Sequence, residues 1–371
     1  MSTRRRWAVV LLAALAAGRV AAAQDAPSGQ VRFLSGFEMR AVSFGAGLGV
    51  RRVTEMAVPF GAIWQVNPRL TFDFGVSYAR VTRTPENDTL ATESVSGLTD
   101  LQVRGVYQII PDFVVLTLGA DVPTGKTALS ARELPAAGAV ASDLIPFPVT
   151  SFGSGANVTS GLAVAVPFAG WALGMGASYR ISSGYTPLAG VDSAYRPGGE
   201  MRLRVGVDRL VGQGRVSLGF TYSTFTQDEF GGSALFRPGG RYITQASWSI
   251  PLRNLGLDVY AWDLYRGAGT VSLSGSRTEK QNLLALGAMA SIQLGRNQLR
   301  PQLEYRRQTA GTDTMTDAGT LMSLSLRYGF QLTDGLQVSP ALRFDTGSVV
   351  VNGAAISLTG WGLTLGLRAT L

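Results

Sequence analysis

The sequence SGLTDLQVRGVYQIIPDFVVLTLGADVPTGK, residues 96–126, contains two runs in which apolar and polar side chains alternate. In the first run, Leu101 and Val103 alternate with Gln102 and Arg104. A period of two is typical of a β-strand with two different faces. Pro and Asp between the two runs are typical of a tight turn, so the stretch predicts a β-hairpin. The apolar face has to be covered, and no helical pattern elsewhere supplies a second layer. We therefore expect the hairpin to be closed by further hairpins like itself.

Similar alternation of apolar and polar residues recurs along the chain, and the tight turns between strands alternate with longer polar connections. This arrangement is typical of transmembrane β-barrels, which have an even number of antiparallel strands. The sequence thus predicts an all-β fold, a transmembrane antiparallel up-and-down β-barrel of about 16 strands, or 14 if the first hairpin is misassigned. The expected strands are 31–44, 53–65, 70–83, 98–110, 113–122, 153–168, 171–182, 200–210, 215–226, 241–252, 255–265, 278–294, 298–308, 320–332, 336–346 and 355–371.

The first 23 residues have the pattern of a secretory signal peptide. Three arginines precede an apolar run over residues 7–17, and three alanines at 21–23 form a small-residue cleavage site. We expect residues 24–371 to form the barrel as one domain. Removing residues 1–23 takes away four arginines and no acid, which lowers the formal charge from +8 to +4. Half of the formal net positive charge therefore belongs to the predicted signal peptide, and nucleic acid is not an expected partner.

The composition fits an exported barrel. Hydrophobic residues make up 46% of the chain and charged residues only 16%, with 46 glycines and no cysteine or histidine. Beyond the signal there is no apolar run of about 18 residues that would form a membrane-spanning helix. We expect the protein to lie in the bacterial cell outer membrane. Its expected partners are outer-membrane lipid and lipopolysaccharide, the barrel-assembly machinery and a small-molecule solute, while homo-oligomerisation is left open.

Enzymatic chemistry is not expected, because the chain has no histidine to act as a base or metal ligand. The segment Gly125-Lys126-Thr127 has the end of a phosphate-binding loop, but Ala120 stands where the first glycine belongs. Carboxylates are scattered among about as many arginines. We therefore predict no catalytic residue, no metal site and no cofactor.

Charged residues on the polar faces of the strands should point into the barrel lumen, since an arginine facing lipid at the membrane centre costs about 2–4 kcal/mol. These residues can set ion selectivity, or they can form structural ion pairs. Nearly equal numbers of inward acids favour pairing for most of them, with at most a weak preference for anions. The lumen residues are Arg104, Arg180, Arg202, Arg204, Arg300, Glu304, Arg306, Arg327 and Arg343.

The connection over residues 123–151 is the longest, and it is too apolar to lie in water. A loop of this length is usually functional or disordered. As the third long connection, it can fold inward and constrict the pore through Leu134, Leu144 and Phe147. The alternative is that it packs over the rim or against a neighbouring protomer.

Short motifs resemble a family of outer-membrane transporters associated with the meta-pathway of phenol degradation. The motifs are the G-x-x-D strand that starts at Gly97, the strand end PTGK at residues 123–126, SFGSG at residues 151–155 and the hairpin from Leu162 to Ile181. The barrel is also distantly similar to hydrophobic-compound transporters and porins. The resemblance implies a channel for small, often hydrophobic or aromatic compounds.

Related hydrocarbon transporters carry an N-terminal hatch inside the barrel, whereas residues 24–30 are too few to plug a lumen. We therefore expect a passive channel that passes small solutes through a polar lumen. The alternative is a non-conducting structural or adhesive barrel whose lumen is filled by its own side chains.

Overall fold

The computed structural model describes residues 29–371, so the predicted signal peptide lies outside the described residues. The described residues form 21 strands and one short helix, α1 (Leu134–Ala139). The strands are β1 (Val31–Phe44), β2 (Val50–Asn67), β3 (Leu70–Pro85), β4 (Glu93–Leu98), β5 (Leu101–Ile110), β6 (Val114–Val122), β7 (Asn157–Phe168), β8 (Trp171–Ser182), β9 (Tyr195–Arg196), β10 (Glu200–Val211), β11 (Gly214–Phe225), β12 (Asp228–Phe230), β13 (Ser233–Arg237), β14 (Arg241–Leu252), β15 (Leu255–Arg266), β16 (Thr270–Val271), β17 (Lys280–Leu294), β18 (Asn297–Gly311), β19 (Thr316–Thr333), β20 (Leu336–Val351) and β21 (Ala354–Thr370).

Seventeen of these strands form one sheet in which consecutive strands pair antiparallel. The strands β4 and β5 both pair with β3 and share one position, so the sheet has sixteen strand positions. The last strand, β21, pairs with β1 from Arg32 opposite Thr370 to Phe44 opposite Leu358. The sheet is therefore closed, and the predicted up-and-down barrel of sixteen strands is confirmed.

The two faces of the wall differ as the alternation predicts. Large apolar side chains point outward along every part of the wall, and many are more than half exposed, including Leu118, Met175 and Leu324. The residues between them point inward and carry most of the charged groups of the strands. An apolar exterior and a polar interior distinguish a membrane barrel from a soluble one.

The wall is taller on one side than on the other. Strands β1–β3 and β17–β21 have 14 to 18 residues, whereas β5–β15 of the barrel have 9 to 12. The expected long connection over residues 347–354 was wrong. The strands continue to a two-residue turn at Asn352 and Gly353, whose φ angles of 50° and 79° fit a type I′ hairpin turn.

The end of the barrel with the tight turns is here named the turn end, and the opposite end is the loop end. At the loop end, β9, β12, β13 and β16 form a small separate sheet that the sequence pattern missed, because strands of two to five residues are too short to show a period. The helix α1 was also missed. Within residues 29–371, no helix is long and apolar enough to span a lipid bilayer.

In two places, an inward-pointing side chain reaches over the neighbouring strand to contact a residue on the strand beyond it. The strand in between has a glycine at the crossing point, which leaves room for the side chain. The ring of Tyr260 on β15 passes over Gly287 on β17, and its hydroxyl donates to Glu304 Oε2 on β18 at 2.7 Å. A Cβ on Gly287 would lie 2.2 Å from this ring. In the same way, Arg40, which stands opposite Gly362 on β21, reaches over that strand to Asp345 on β20, which stands opposite Gly360.

We predict that Gly287→Ala lowers the free energy of unfolding by about 1–3 kcal/mol, because the new methyl group displaces Tyr260 from its bond to Glu304. The matched control is Gly75→Ala, since a Cβ there has no atom within 4 Å. Urea unfolding of both variants in detergent, followed by gel mobility, measures the difference. Equal midpoints for the two variants would contradict this account of the crossing.

Candidate functional site

The connection between β6 and β7, residues 123–156, is here named the inner loop. Its two ends are fastened to Asp100, which sits between β4 and β5 and is 9% exposed. One carboxylate oxygen accepts the N–H of Gly125 at 3.0 Å, and the other accepts the N–H of Ser154 at 2.7 Å. A Cβ at Gly125 would lie 2.3 Å from the carbonyl oxygen of Phe152, so only glycine fits. The loop therefore leaves and rejoins the wall at one point.

From this point the inner loop folds into the barrel and buries its apolar side chains against the inner wall. Leu144 is 1% exposed and Phe147 is 6% exposed, and Ile145, Val149 and Phe152 are buried beside them. Burial of one such side chain stabilises by about 1.5–3 kcal/mol. The inward-facing residues that receive them are here named the inner-wall patch: Val42, Val53, Ala57, Ala79, Val81, Val95, Leu283, Leu321 and Leu358.

Polar contacts fasten the loop to β1 and β2. The guanidinium of Arg40 donates to the carbonyl oxygen of Pro146 and lies 5.8 Å from the ring centre of Phe147. The backbone N–H of Val149 donates to Glu55 Oε1 at 2.8 Å. Arg40 and Glu55 are both buried, at 5% and 0% exposure. The loop therefore supplies partners to the Arg40 guanidinium and to Glu55 Oε1, whereas Arg40 Nε and Glu55 Oε2 are buried without a partner among the described residues.

A second set of contacts fastens the loop to the far wall. Arg266 on β15 forms an ion pair with Asp143 at 2.9 Å, and Arg306 on β18 donates to the Asp143 carbonyl oxygen at 3.2 Å. The loop starts on β6, the fifth of the sixteen strand positions, and β18 is the thirteenth. Because these positions are half a circumference apart, the loop crosses the full width of the lumen.

The far-wall contacts belong to a chain of charges on the inner face. Asp345 accepts from Arg40 at 2.7 Å and from Arg343 at 2.9 Å, and Glu304 accepts from Arg306 at 2.9 Å. Arg343 and Glu304 are 3.9 Å apart and link the two groups. Buried charges are stable only when they are paired and hydrogen-bonded. This charge network holds the side of the wall on which the loop rests.

The remaining lumen arginines predicted from sequence divide into two sets. Arg104 pairs with Asp73 at 2.6 Å, and Arg202 and Arg180 share Glu200 at 2.7 and 3.5 Å. Together with Arg306 and Arg343, five of the eight predicted arginines have an acidic partner. The three that form no ion pair within the described chain are Arg204, Arg300 and Arg327.

The three residues predicted to constrict the pore have different environments. Leu144 and Phe147 are buried against the inner-wall patch, whereas Leu134, at the start of α1, is 40% exposed and lies outside the buried cluster. Leu134 is thus placed differently from the other two. The structure also adds two residues that sequence reasoning missed as loop contacts, Glu55 and Arg40. Their signal was a charged residue two positions from an inward-facing valine, Glu55 after Val53 and Arg40 before Val42.

The segment that resembled a phosphate-binding loop has a structural role. Lys126 forms an ion pair with Glu133, and Glu133 Oε2 also accepts the backbone N–H of Ser130 at 3.0 Å. The Lys126 ammonium and then this N–H lower the pKa of Glu133 below its ordinary value of 4.5. The two contacts close a turn at the start of the inner loop. Across residues 29–371, no group of three metal-ligating side chains lies close enough to hold an ion.

Comparison with known proteins gives only distant structural likeness. The sequence matches no protein-family model and no curated protein. Pseudomonas putida OprB has 13% identity and a TM-score of 0.48, over 92% of this chain and 94% of that chain. An outer-membrane channel from Pseudomonas putida F1 has 11% identity and a TM-score of 0.40, over 94% and 97%. An anion-selective porin from Comamonas acidovorans has 14% identity and a TM-score of 0.40, over 92% and 98%.

The fold assignment rests on the strand pairing itself. A closed barrel of sixteen antiparallel strands with an apolar outer face and a charged inner face is a β-barrel of the transmembrane class. The resemblance to the transporters of the phenol meta-pathway stays a prediction. Its motifs at Asp100, Gly125 and Ser154 are the residues that fasten the inner loop to the wall.

We predict that Leu144→Asp releases the inner loop, because a carboxylate replaces an apolar side chain in the inner-wall patch. The docking free energy should fall by at least about 2 kcal/mol, which raises the population of the released loop roughly thirtyfold. Limited proteolysis of the folded barrel should then cleave within residues 134–149. Leu134→Asp is the control and should leave cleavage unchanged, and similar rates for both variants would contradict the docking.

We predict that acid loosens the start of the loop through Glu133. Its lowered pKa means that the contact with Lys126 is present above about pH 4.5 and is lost as the pH falls through the lower folded value. Hydrogen exchange of residues 126–133, corrected for its intrinsic pH dependence, should speed up only in acid. Glu133→Gln should show the faster exchange at neutral pH too. Unchanged protection of the wild-type chain throughout a titration from neutral pH into acid would argue against this role.

Proposed function

We propose that the protein is a bacterial outer-membrane channel that passes small solutes through a polar lumen narrowed by the inner loop. The observation that carries the proposal is the set of contacts by which the loop crosses the lumen, from Asp100 at its base to Arg266 and Arg306 on the far wall. A loop held by contacts on both sides of the lumen narrows the passage, and the other connections at the loop end are not needed to hold it in place. This is the arrangement expected of a constriction.

The exterior supports the membrane location. Apolar side chains such as Phe60, Phe168 and Leu342 are between 51% and 66% exposed. Such a continuous apolar surface is unfavourable in water but favourable in lipid. Strands of 9 to 18 residues are long enough to cross a bilayer. Because closed barrels that span membranes in bacteria belong to the outer membrane, this location agrees with the predicted signal peptide.

The lumen chemistry supports passage of water-soluble molecules. Charged, amide and hydroxyl side chains line the inner face on strands β10, β11, β14 and β18, at positions such as Arg202, Ser217, Gln245 and Gln302. These groups offer hydrogen bonds to a hydrated solute. The hydrophobic or aromatic solutes that the family resemblance implies stay a prediction. A solute with an aromatic ring and a charged group would fit both the polar lumen and the aromatic solutes that the resemblance implies.

The second candidate function is a structural barrel that does not conduct. The observation that favours it is the inner loop itself, because a docked loop with paired charges can fill a lumen instead of narrowing it. The two functions differ in one property, a continuous aqueous path. Deletion of the loop opens such a path in both cases, so the wild-type chain decides between them.

Single-channel conductance in a planar bilayer tests the proposal. We expect stable current steps from the wild-type barrel and larger steps after deletion of residues 135–149. Leu144→Asp should show steps that fluctuate between the two sizes, while Leu134→Asp should match the wild type. Barrels that resist detergent unfolding but give no steps in the wild type would show that the lumen is blocked, and the channel proposal would then be wrong.

A further inference from the structure

Beneath the inner loop, on its turn-end side, the lumen contains a cavity of about 290 Å³. Since one water needs roughly 10–15 Å³ by the same measure, the cavity holds a small solute with part of its hydration shell. The loop residues Pro146 and Pro148 form one side, and inward side chains of β1 and β17–β21 form the other. The charged residues of its lining are Glu38, Arg40, Arg300, Arg327 and Arg343.

Two of these arginines carry an unbalanced charge. Arg300 and Arg327 stand directly opposite each other on β18 and β19, in an antiparallel pair. Side chains at such positions have Cβ atoms about 4.5–5.5 Å apart, and like charges there destabilise a sheet. Neither arginine forms an ion pair or hydrogen bond with another residue of the described chain, and Arg300 Nε is buried without a partner. The fold therefore holds two positive charges together at a cost.

The other charged groups of the cavity do not offset this pair. Arg40 and Arg343 are already bound to Asp345. Glu38 is in the same row of the wall as Arg327, but Thr364 and Ala341 stand between them, so their backbones are about 14 Å apart. The small side chain of Ala341 leaves the floor open in front of Arg327. The positive charge consequently faces the cavity and not an acid.

We propose that Arg300 and Arg327 form a binding site for a small oxyanion, a phosphate or carboxylate group, on the path of the solute. Guanidinium groups bind such anions with paired, charge-assisted hydrogen bonds. In the next row, Ser325 supplies a neutral hydroxyl donor, while Gln302 opposite it already donates to the Tyr260 hydroxyl at 2.7 Å. The inference rests on the proposed channel function for its role in transport, but the binding itself does not need conduction. It makes the solute class anionic.

Calorimetric titration of the purified full-length barrel in detergent with inorganic phosphate, at low salt, tests the site directly. We expect saturable binding to the wild type and binding about tenfold to a hundredfold weaker in R300Q/R327Q. The control is Arg237→Gln combined with Arg277→Gln, which removes the same number of positive charges from exposed positions at the loop end. Equal binding to the double variant, or no saturable binding to the wild type, would overturn the proposal.

A bilayer measurement separates this inference from the channel proposal. In a gradient of potassium chloride, the reversal potential should show anion preference in the wild type and a reduced preference in R300Q/R327Q, with open steps in both. A wild type that conducts but binds no phosphate would refute the anion site and leave the channel standing. A wild type that binds phosphate but does not conduct would refute the channel and leave the anion site standing.

Discussion

The contact between the apolar segment of the inner loop and the inner-wall patch is the interaction that separates this barrel from one with no loop in its lumen. Leu144 and Phe147 can be buried only because the wall opposite them is apolar at Val42, Val53 and Leu321. In a lumen that water fills, such a patch would be unfavourable without a cover. The loop and the tall side of the wall therefore depend on each other. The charged groups at the edges of the patch, Glu55 and Arg40, then find their partners on the loop backbone.

This contact also divides the inner face by charge. On the side under the loop, the network around Asp345 and Glu304 balances the arginines that touch the loop. Away from it, the balance fails at Arg204 on one wall and at Arg300 with Arg327 on the other. The structure shows structural pairing for one set of lumen arginines, and the proposed anion site assigns charge selectivity to the other set. The paired set keeps the loop in place, and the unpaired set faces the space that remains.

Much of the fold was predictable because the barrel repeats one local rule. Alternation with a period of two identified sixteen strands and the inward or outward face of each residue, from Leu101 and Arg104 to the last strand. The rule could not identify β9 or β16, which have two residues each, or the shift from a loop to a two-residue turn at Asn352. These features depend on neighbouring segments and not on a local period.

The site was less predictable, for a physical reason. An apolar loop needs a partner, but its sequence does not say which surface supplies it, so the inward fold followed only from the structure. Asp100, Gly125 and Ser154 stood out as motif residues, and their shared role as the base of the loop depends on contacts across 25 to 54 residues. The charge balance of single strands likewise hid the pair of Arg300 and Arg327, which only the strand register brings together.

The structure of the lumen depends on the inner loop being docked inside the assembled barrel. The decisive measurement is hydrogen exchange of the Val149 amide in the folded wild-type protein, since this N–H donates to the buried Glu55 at 2.8 Å. We expect strong protection of this amide, comparable to that of amides in β2. Exchange as fast as in an exposed peptide, from a barrel whose strands stay protected, would show that the loop lies outside the lumen and that the docked arrangement is wrong.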